Sequence, residues 1–519
     1  MKPRKLAHLT GVLTLALAAM GLVACSPAGG SPSPSGEAMM LEDLAFGVDR
    51  QPHSLDPYKS VLGGQFLAYL DPIYDTLIHQ ETDGTYSPGL ATEWSYLSPT
   101  EFEMVLREDV MFSDGETPFD ATAVQKNLDR LKVVTGGQTP ELAPMYDSTE
   151  IVDDHRVIVN LTAPNPDLER ILSQVLGMMA NPTALDAGVD LALEPQGVGA
   201  YTLDLDRTVV GDTYVYEKVD GYWDADAYPF QQLTVKVYTD RNAMLSALQS
   251  GVATVGYGQP DTVQTAEGYG LGVAKRPVVL YFLNLIGRDS PPLDDVRVRQ
   301  ALNYAVDREA ILKTLYRGFG QATPQVFPEG EATGYDPELQ DAYPYDPAKA
   351  KKLLAEAGYE DGFSFTTALP VAARDTPLAE ALASYYAAVG VTLEITALPP
   401  GTMGTESYQP FDSSVTGLGG QGAFIDAQQL LMPTGLGLNA KNSQSDEFDR
   451  MWEEASDSGD TEERAAGYRE LAAAVVEQAW FVPVARLDAI ALYDNDVISD
   501  LELTPGLSVP RIRGWQLAG

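Results

Sequence analysis

The chain has 519 residues, 45% hydrophobic and 21% charged, which is ordinary for a globular protein of roughly two to four domains. Its 74 acidic and 34 basic side chains give a net charge of −40, and such a surface repels nucleic-acid phosphates, which argues against nucleic acid as a partner. Cys25 is the only cysteine and the four histidines form no close-spaced pair, so the sequence predicts no disulfide, no metal site and no cofactor.

The N-terminal segment has the features of an export signal. Lys2, Arg4 and Lys5 precede an apolar run over residues 9–24, which ends at Cys25. This pattern resembles a bacterial lipoprotein lipobox, so we expect cleavage of residues 1–24 and lipidation of Cys25. Residues 25–40, rich in Ser, Pro and Gly, are then a flexible tether. The alternative, an N-terminal membrane anchor, is disfavoured because the run is shorter than the roughly 20 residues of a membrane-spanning helix.

The hydrophobic pattern of the rest of the chain predicts alternating strands and helices. Strands are predicted over residues 44–48, 102–106, 157–161, 201–205, 214–219, 233–238, 278–285, 363–369, 391–398 and 482–492. Helices are predicted over residues 65–79 with a break at Pro72, and over 121–131, 240–250, 296–306, 308–317, 348–357, 377–388 and 460–478. This order is typical of a mixed α/β protein with more than one lobe.

Motifs that carry chemistry are scarce. The sequence lacks a Gly-x-Ser-x-Gly elbow, a His-Glu-x-x-His motif and a Walker A lysine motif, so no catalytic residue is proposed. Residues 417–422 match Gly-x-Gly-x-x-Gly after a possible strand at 413–416. A dinucleotide site also needs a helix there, and Pro433 and Gly435 make one doubtful. We interpret the glycines as a loop where the backbone closely approaches another group.

Several ordered segments resemble one known family. They are residues 54–57 (Ser-Leu-Asp-Pro), 74–77 (Tyr-Asp-Thr-Leu), 106–115 (Leu-Arg to Ser-Asp-Gly, with Ser113 where the family usually has His), 195–201, 292–311 and 345–359. Their order and spacing are similar to those of the family 5 solute-binding proteins of ABC importers, the dipeptide, oligopeptide and nickel receptors. The resemblance covers roughly residues 44–500.

The resemblance implies an α/β, two-lobe fold like that of periplasmic binding proteins, class II type. Lobe I is expected over residues 41–275 plus 490–519, with an extra inserted subdomain near 60–194. Lobe II is expected over residues 276–489. The strands that cross between the lobes are expected near residues 278–285 and 482–492, both of which are apolar runs that suit buried strands.

The implied function is a lipid-anchored receptor on the extracellular face of the bacterial cell membrane. It captures a solute between closing lobes and delivers it to the permease and ATPase subunits of an importer, as a monomer and without catalysis. A peptide is the leading ligand class, and an oligosaccharide or another solute is the alternative. Two alternatives of other classes are a secreted hydrolase and a signalling or adhesion lipoprotein.

The resemblance also suggests ligand-binding residues. In peptide-binding relatives a Gly-Trp-x-x-Asp stretch places a carboxylate against the terminal amine of the peptide. The matching stretch here has Leu418 in place of the aromatic residue and Gln421 in place of the acid, so Asp426 is a candidate substitute. The complete set of candidate ligand contacts is Arg50, His53, Tyr408, Gly417, Leu418, Gly419, Gln421, Phe424 and Asp426.

Overall fold

The computed structural model describes residues 41–60, 66–137, 139, 142–330, 334–370, 375–399, 405–420, 422–432, 438, 439, 441 and 446–518. The strands are β1 Leu41–Val48, β2 Ile78–Gln80, β3 Tyr86–Pro88, β4 Ala91–Ser98, β5 Glu101–Leu106, β6 Tyr146–Asp153, β7 Arg156–Leu161, β8 Tyr201–Leu203, β9 Thr213–Lys218, β10 Phe230–Val237, β11 Val255–Tyr257, β12 Gly272–Leu285, β13 Gly320–Ala322, β14 Phe363–Pro370, β15 Val391–Leu398, β16 Ser413–Gly419, β17 Phe481–Tyr493, β18 Ile498–Asp500 and β19 Gln516–Leu517. The helices are α1 Leu67–Leu70, α2 Ala121–Asp129, α3 Leu168–Leu172, α4 Pro182–Asp186, α5 Arg241–Gln249, α6 Val263–Gly268, α7 Val296–Tyr304, α8 Arg308–Leu315, α9 Pro347–Glu356, α10 Asp375–Ala387, α11 Thr405–Tyr408, α12 Ala423–Leu431, α13 Asp446–Asp457 and α14 Thr461–Glu477.

One large mixed sheet organises the body of the protein. Among the described residues it has eleven strands, in the order β15-β14-β16-β12-β17-β11-β1-β10-β9-β8, with β13 paired to β17. The long central strands β12 and β17 run antiparallel, and their register extends from Gly272 opposite Tyr493 to Asn284 opposite Phe481. These two strands contain the apolar runs that predicted crossing strands, and they join the two halves of the sheet.

The predicted helices begin and end largely where the sequence indicates. Asp240, Asp346 and Asp460 each accept a hydrogen bond from a backbone N–H in the first turn of α5, α9 and α14, respectively. Such caps satisfy amide donors that have no partner within the helix. Short polar caps followed by apolar periodicity are local signals, which explains why these helices are predictable.

Two predictions are wrong. Residues 65–79 do not form a kinked helix, because α1 ends at Leu70, before Pro72, and residues 78–80 form strand β2. The helix judged doubtful after the glycine motif exists as α12, since Pro433 and Gly435 follow its last residue, Leu431, and do not interrupt it.

The two largest apolar cores of the described residues contain different parts of the main sheet. The smaller is formed by residues between Tyr281 and Leu487. The larger combines β1, β5 and β7 with α12 and β17, and includes the edge-to-face pair Phe282 and Phe481, with ring centroids 5.7 Å apart. Burial of each such ring contributes roughly 1.5–3 kcal/mol. The antiparallel sheet β4-β5-β7-β6 is separate from the main sheet and falls inside the predicted insertion at 60–194. Within the described part of the chain, no helix combines the length and apolar character needed to cross a membrane.

Candidate ligand-binding site

The glycine-rich stretch lies on β16, which is only partly paired. On one side, β12 pairs with β16 along its whole length, from Ser413 to Gly419. On the other side, β14 pairs only with Ser413 and Ser414. From Val415 to Gly419, therefore, no described strand pairs with that edge. Unpaired strand edges present backbone N–H and C=O groups that another extended chain can bind.

The glycines of this stretch do not form the predicted loop, because Gly417 and Gly419 lie in strand β16, but the predicted close approach is found at two positions. A Cβ on Gly417 would lie 3.2 Å from the Tyr281 ring, and one on Gly420 would lie 2.5 Å from Nη1 of Arg486 and 3.2 Å from Pro328. Gly419 differs, because a Cβ there would have no atom within 4 Å. The backbone at Gly419 therefore faces open space, while Gly420 packs against a buried guanidinium.

Helix α12 begins directly after the glycines, and a carboxylate from a distant segment lies at its start. Gly422 is the N-cap residue with φ +133° and has no side chain to cap the helix. The Asp167 carboxylate lies against this helix start, since a Cβ on Gly422 would be 3.1 Å from Asp167 Oδ2. Arg170 Nε lies 3.5 Å from Asp167 Oδ2. A carboxylate thus occupies the helix N-terminus where a dinucleotide site would hold pyrophosphate, which argues against nucleotide binding despite the presence of α12.

Burial perturbs both charged groups around the start of α12. It raises the pKa of Asp167, while Arg170 and the Ile425 N–H oppose the shift. It lowers the pKa of Arg486 to about 10, and the neighbouring Asp426 carboxylate opposes that shift. The Arg486 guanidinium donates to the carbonyls of Val278, at 3.1 Å, and Val326, at 2.7 Å. Asp426 is 1% exposed, so its charge faces the protein interior.

The two candidate aromatic residues are buried. Phe424 is fully buried and stacks on Trp452, with ring centroids 5.2 Å apart. Tyr408 is 4% exposed and packs with Ile286 and Ala368. In this conformation, neither ring presents a free face for stacking on a sugar. Their contact with ligand stays a prediction.

The remaining candidates lie elsewhere or outside the described residues. Arg50 is exposed and pairs with Asp49, its neighbour in sequence. His53 is exposed and packs on Phe66, with ring centroids 4.7 Å apart. Leu418 is partly buried on β16 beside the candidate glycines. Gln421 and the predicted lipidation site Cys25 lie outside the described residues.

Sequence reasoning missed a buried polar network centred on Asp75. Its carboxylate accepts from Tyr222 Oη at 2.6 Å and Trp223 Nε1 at 2.9 Å, and lies 2.7 Å from His79 Nε2. Burial alone would raise the pKa of Asp75, but His79, Tyr222 and the Thr76 backbone N–H together outweigh it, so the pKa is lowered from its ordinary value. The network borders a cavity of about 200 Å³, also lined by Arg511 and other polar residues. No local sequence signal marks this network, since His79 lies in β2, within the segment that the sequence predicted as a helix.

Metal binding has no support from side-chain placement. Among the described residues, no group of three or more His, Cys, Asp or Glu side chains could hold a metal ion. The arrangement at β16 and α12 instead offers backbone hydrogen-bonding groups, an open strand edge and internally paired charges. An unpaired strand edge of this kind is a surface with which another extended chain can pair.

Comparison with known families agrees with this description. The family model for bacterial extracellular solute-binding proteins, family 5 Middle, matches residues 85–442. The chain belongs to this family. That span includes β16 and α12, so the candidate site lies inside the part of the chain that defines a family 5 solute-binding protein.

Individual relatives are similar at moderate identity. The glutathione-binding protein GsiB of Salmonella paratyphi A is 30% identical over 336 residues, which cover 63% of this chain and 64% of that protein. The match thus spans less than two thirds of that relative. HbpA2 of Haemophilus parasuis has a TM-score of 0.79 at 21% identity, covering 92% of this chain and 100% of the other. DppA of Helicobacter pylori, in complex with the peptide STSA, has a TM-score of 0.75 at 22% identity, covering 92% and 98%. These structures share the two-lobe α/β fold expected from the sequence resemblance.

Proposed function

We propose that this family 5 solute-binding protein is the extracellular receptor of an ABC importer and that it captures a peptide. The open edge of β16 from Val415 to Gly419 carries the proposal, because a peptide backbone can complete the hydrogen bonds of such an edge. The names of two relatives add support, since one is a glutathione-binding protein and the other was solved with a tetrapeptide. Both of those ligands contain peptide backbone.

The lobe arrangement belongs to the same proposal. Lobe I comprises residues 41–275 and 490–519, with the insertion at 60–194, and lobe II comprises residues 276–489. The separate core between Tyr281 and Leu487 supports an independent lobe II, and the pairing of β12 with β17 supports their role as the connection. Ligand binds the closed state better than the open state, and this difference in affinity drives closure.

Anchoring and partners complete the proposal. Lipid on Cys25 holds the receptor at the outer face of the cell membrane through the tether at 25–40, while the permease and ATPase move the ligand. The receptor acts as a monomer. No catalytic step is required, because transport needs only binding and release.

A peptide is favoured over an oligosaccharide. Sugar sites commonly stack the ligand on aromatic rings, and the nearby rings of Tyr408 and Phe424 are buried. The backbone edge of β16, by contrast, suits amide groups that both donate and accept hydrogen bonds. A solute without amide groups can form fewer hydrogen bonds with the backbone edge of β16.

Thermal unfolding tests the ligand class directly. The full chain with Cys25→Ser is heated alone, with glutathione, with a tripeptide pool and with an oligosaccharide pool. A ligand at 100 times its Kd stabilises the folded state by about 2.7 kcal/mol, which gives a clear rise in Tm. We expect the rise with peptides or glutathione.

The other outcomes are also informative. A rise only with sugars contradicts the peptide assignment while leaving the receptor role intact. Turnover of a chromogenic hydrolase panel supports the secreted hydrolase instead. No response to any ligand, combined with wild-type growth on peptides after deletion of the gene, favours the signalling or adhesion role.

A further inference from the structure

The cavity beside the Asp75 network lies between two segments that are far apart in the sequence. Residues 71–82, which follow α1 and include β2, form one wall, and residues 500–516 near the C-terminus form the other. Its volume is about 200 Å³, which is room for several water molecules. None of the described residues that line it belongs to β16 or α12, so it is separate from the proposed peptide edge.

Some of the charged groups that line this cavity already have partners within the protein. Asp75 has the donors of its own network. Arg513 donates from Nε to Asp224 at 2.9 Å and from Nη1 to Glu81 at 3.2 Å. These groups need no further partner, so the chemistry of the cavity depends on the polar groups that remain.

The Asp71 carboxylate is the least satisfied of these remaining groups. Its side chain is only 12% exposed, and it forms no hydrogen bond with any residue that the structure describes. The nearest basic atom, Arg511 Nε, is 3.8 Å away, which is too far for a hydrogen bond. Arg511 is held in that place by a hydrogen bond from Nη2 to the carbonyl of Ser173, at 2.7 Å. A cation in the cavity would therefore supply what the Asp71 carboxylate lacks.

Two hydroxyl groups line the same cavity without a partner. Tyr228 is 6% exposed and Thr504 is 2% exposed, and neither hydroxyl bonds to a residue in the described part of the chain. Neither oxygen is sealed from the accessible space, so both open to the cavity. Buried polar groups in folded proteins nearly always have a hydrogen-bond partner. These two hydroxyls are thus available to a molecule held beside Asp71.

The charge of the cavity selects for a cation. The exposed carboxylates of Asp500 and Glu502 line its solvent side, and Asp71 lines its buried side. These three acids face a single guanidinium without a carboxylate within 3.5 Å, that of Arg511. The excess of negative charge repels anions and favours a positively charged occupant. Carboxylate and hydroxyl oxygens also accept hydrogen bonds, so an N–H donor suits them better than a quaternary nitrogen.

We propose that this cavity is a second binding site, which holds a small molecule with a primary ammonium group. The ammonium has three N–H donors, and the carboxylate of Asp71 and the hydroxyl oxygens of Tyr228 and Thr504 are three acceptors. The contact with Asp71 is charge-assisted and is the strongest of the three. The volume admits a molecule of about the size of ethanolamine. This site goes beyond the proposed function, because it does not involve the edge of β16.

Ethanolamine and two analogues test the proposal by thermal unfolding of the full chain with Cys25→Ser. At about pH 7.5 ethanolamine carries an ammonium group, ethylene glycol has a hydroxyl group in its place, and choline has a quaternary nitrogen without N–H donors. We expect ethanolamine to raise Tm saturably, and both analogues to bind at least about tenfold more weakly at equal ionic strength. No saturable response to ethanolamine, or an equal response to either analogue, would overturn the proposal.

Single substitutions test whether the ligand occupies this cavity. Tyr228→Phe removes one hydroxyl that has no partner among the described residues, so the variant should fold normally. We expect Tyr228→Phe to weaken ethanolamine binding at least about threefold and Asp71→Asn at least about tenfold, while peptide Kd stays unchanged in both. Tyr269→Phe, at an exposed tyrosine, is the control and should change neither affinity. Wild-type affinity for ethanolamine in the folded Tyr228→Phe variant would overturn the assignment of the cavity, while the proposed function would stand.

Discussion

The carboxylate of Asp167 lies against Gly422, the residue that begins α12, since a Cβ on Gly422 would be 3.1 Å from Asp167 Oδ2. Most helix caps come from the residue that begins the helix, but that residue here is Gly422, which has no side chain. The segment before α3 therefore places a negative charge at the start of a helix far along the chain. This contact links the predicted insertion of lobe I to the helix beside the candidate ligand edge.

Removal of the Asp167 carboxylate should destabilise the protein modestly. In Asp167→Ala the positive N-terminal end of α12 loses the carboxylate that lies against it, and loss of such a charge costs roughly 1 kcal/mol in the free energy of unfolding. Urea titration measures this change. Asp240→Ala, which removes a local cap from α5, should cost a similar amount but leave peptide Kd unchanged. If Asp167→Ala and Asp240→Ala change peptide Kd equally, Asp167 has no special role in ligand binding.

The pH dependence of the Asp167 contact has a defined sign. Burial raises the pKa of Asp167 above its ordinary value of about 4, so the folded state holds the proton at a pH where the unfolded state has lost it. The contribution of this group to stability is therefore greatest at low pH and falls as pH rises through the folded-state pKa. We expect the Tm of wild type minus that of Asp167→Asn to increase from pH 7 to pH 4. A difference that decreases would contradict the shift.

The Asp75 network should show the opposite pH dependence. The partners of Asp75 lower its pKa, so its stabilising contribution is present above pH 4 and is lost as pH falls below that value. Asp75→Ala leaves Tyr222, Trp223 and His79 without their buried acceptor and should cost about 3–5 kcal/mol at pH 7. Tyr222→Phe removes one donor and should cost about 1 kcal/mol. Similar losses in the two variants would show that Asp75 is not the centre of the network.

Local signals explain which parts of the fold the sequence predicts. Strand β12 is confirmed, and its signal is a long apolar run. Helix α9 is also confirmed, and its signals are the Asp346 cap and Pro347 as the first helical residue. Both kinds of signal act within a few residues. The helix predicted over residues 65–79 fails because the same apolar spacing also suits buried turns and a short strand around Pro72. Tertiary contacts decide whether this segment forms a helix or turns and a strand, and the local sequence does not indicate those contacts.

The candidate site was likewise predictable only where the signal is local. The glycines at 417, 419 and 420 were predictable as places of close approach, and the structure confirms this for Gly417 and Gly420. The partners Asp167 and Arg486 were not predictable, because one acid among 74 has no distinguishing pattern and pairing across the fold depends on topology. The ligand contacts proposed from the family resemblance stay predictions until binding is measured.

Cys25→Ser should change the location of the protein. If lipid on Cys25 is the anchor, the variant loses membrane attachment, and fractionation of cells should show the chain moving from the membrane to the soluble exported fraction. Mass spectrometry should show acyl chains on the wild-type protein only. Retention of the variant in the membrane would instead support an uncleaved N-terminal anchor.

Gly419→Ala separates ligand binding from folding. A Cβ at Gly419 would meet no atom within 4 Å, and its φ is not in the left-handed region, so the free energy of unfolding should change by no more than about 0.5 kcal/mol. The same methyl group would project from a face of the sheet at the end of the open edge of β16, where we expect it to crowd a peptide paired with this edge, so peptide Kd should rise at least about tenfold. Gly268→Ala, also without a neighbour within 4 Å, is the control on a distant helix and should change neither quantity. If Gly419→Ala binds peptide as tightly as wild type, the ligand does not use this edge, and the assignment of β16 as the binding strand fails.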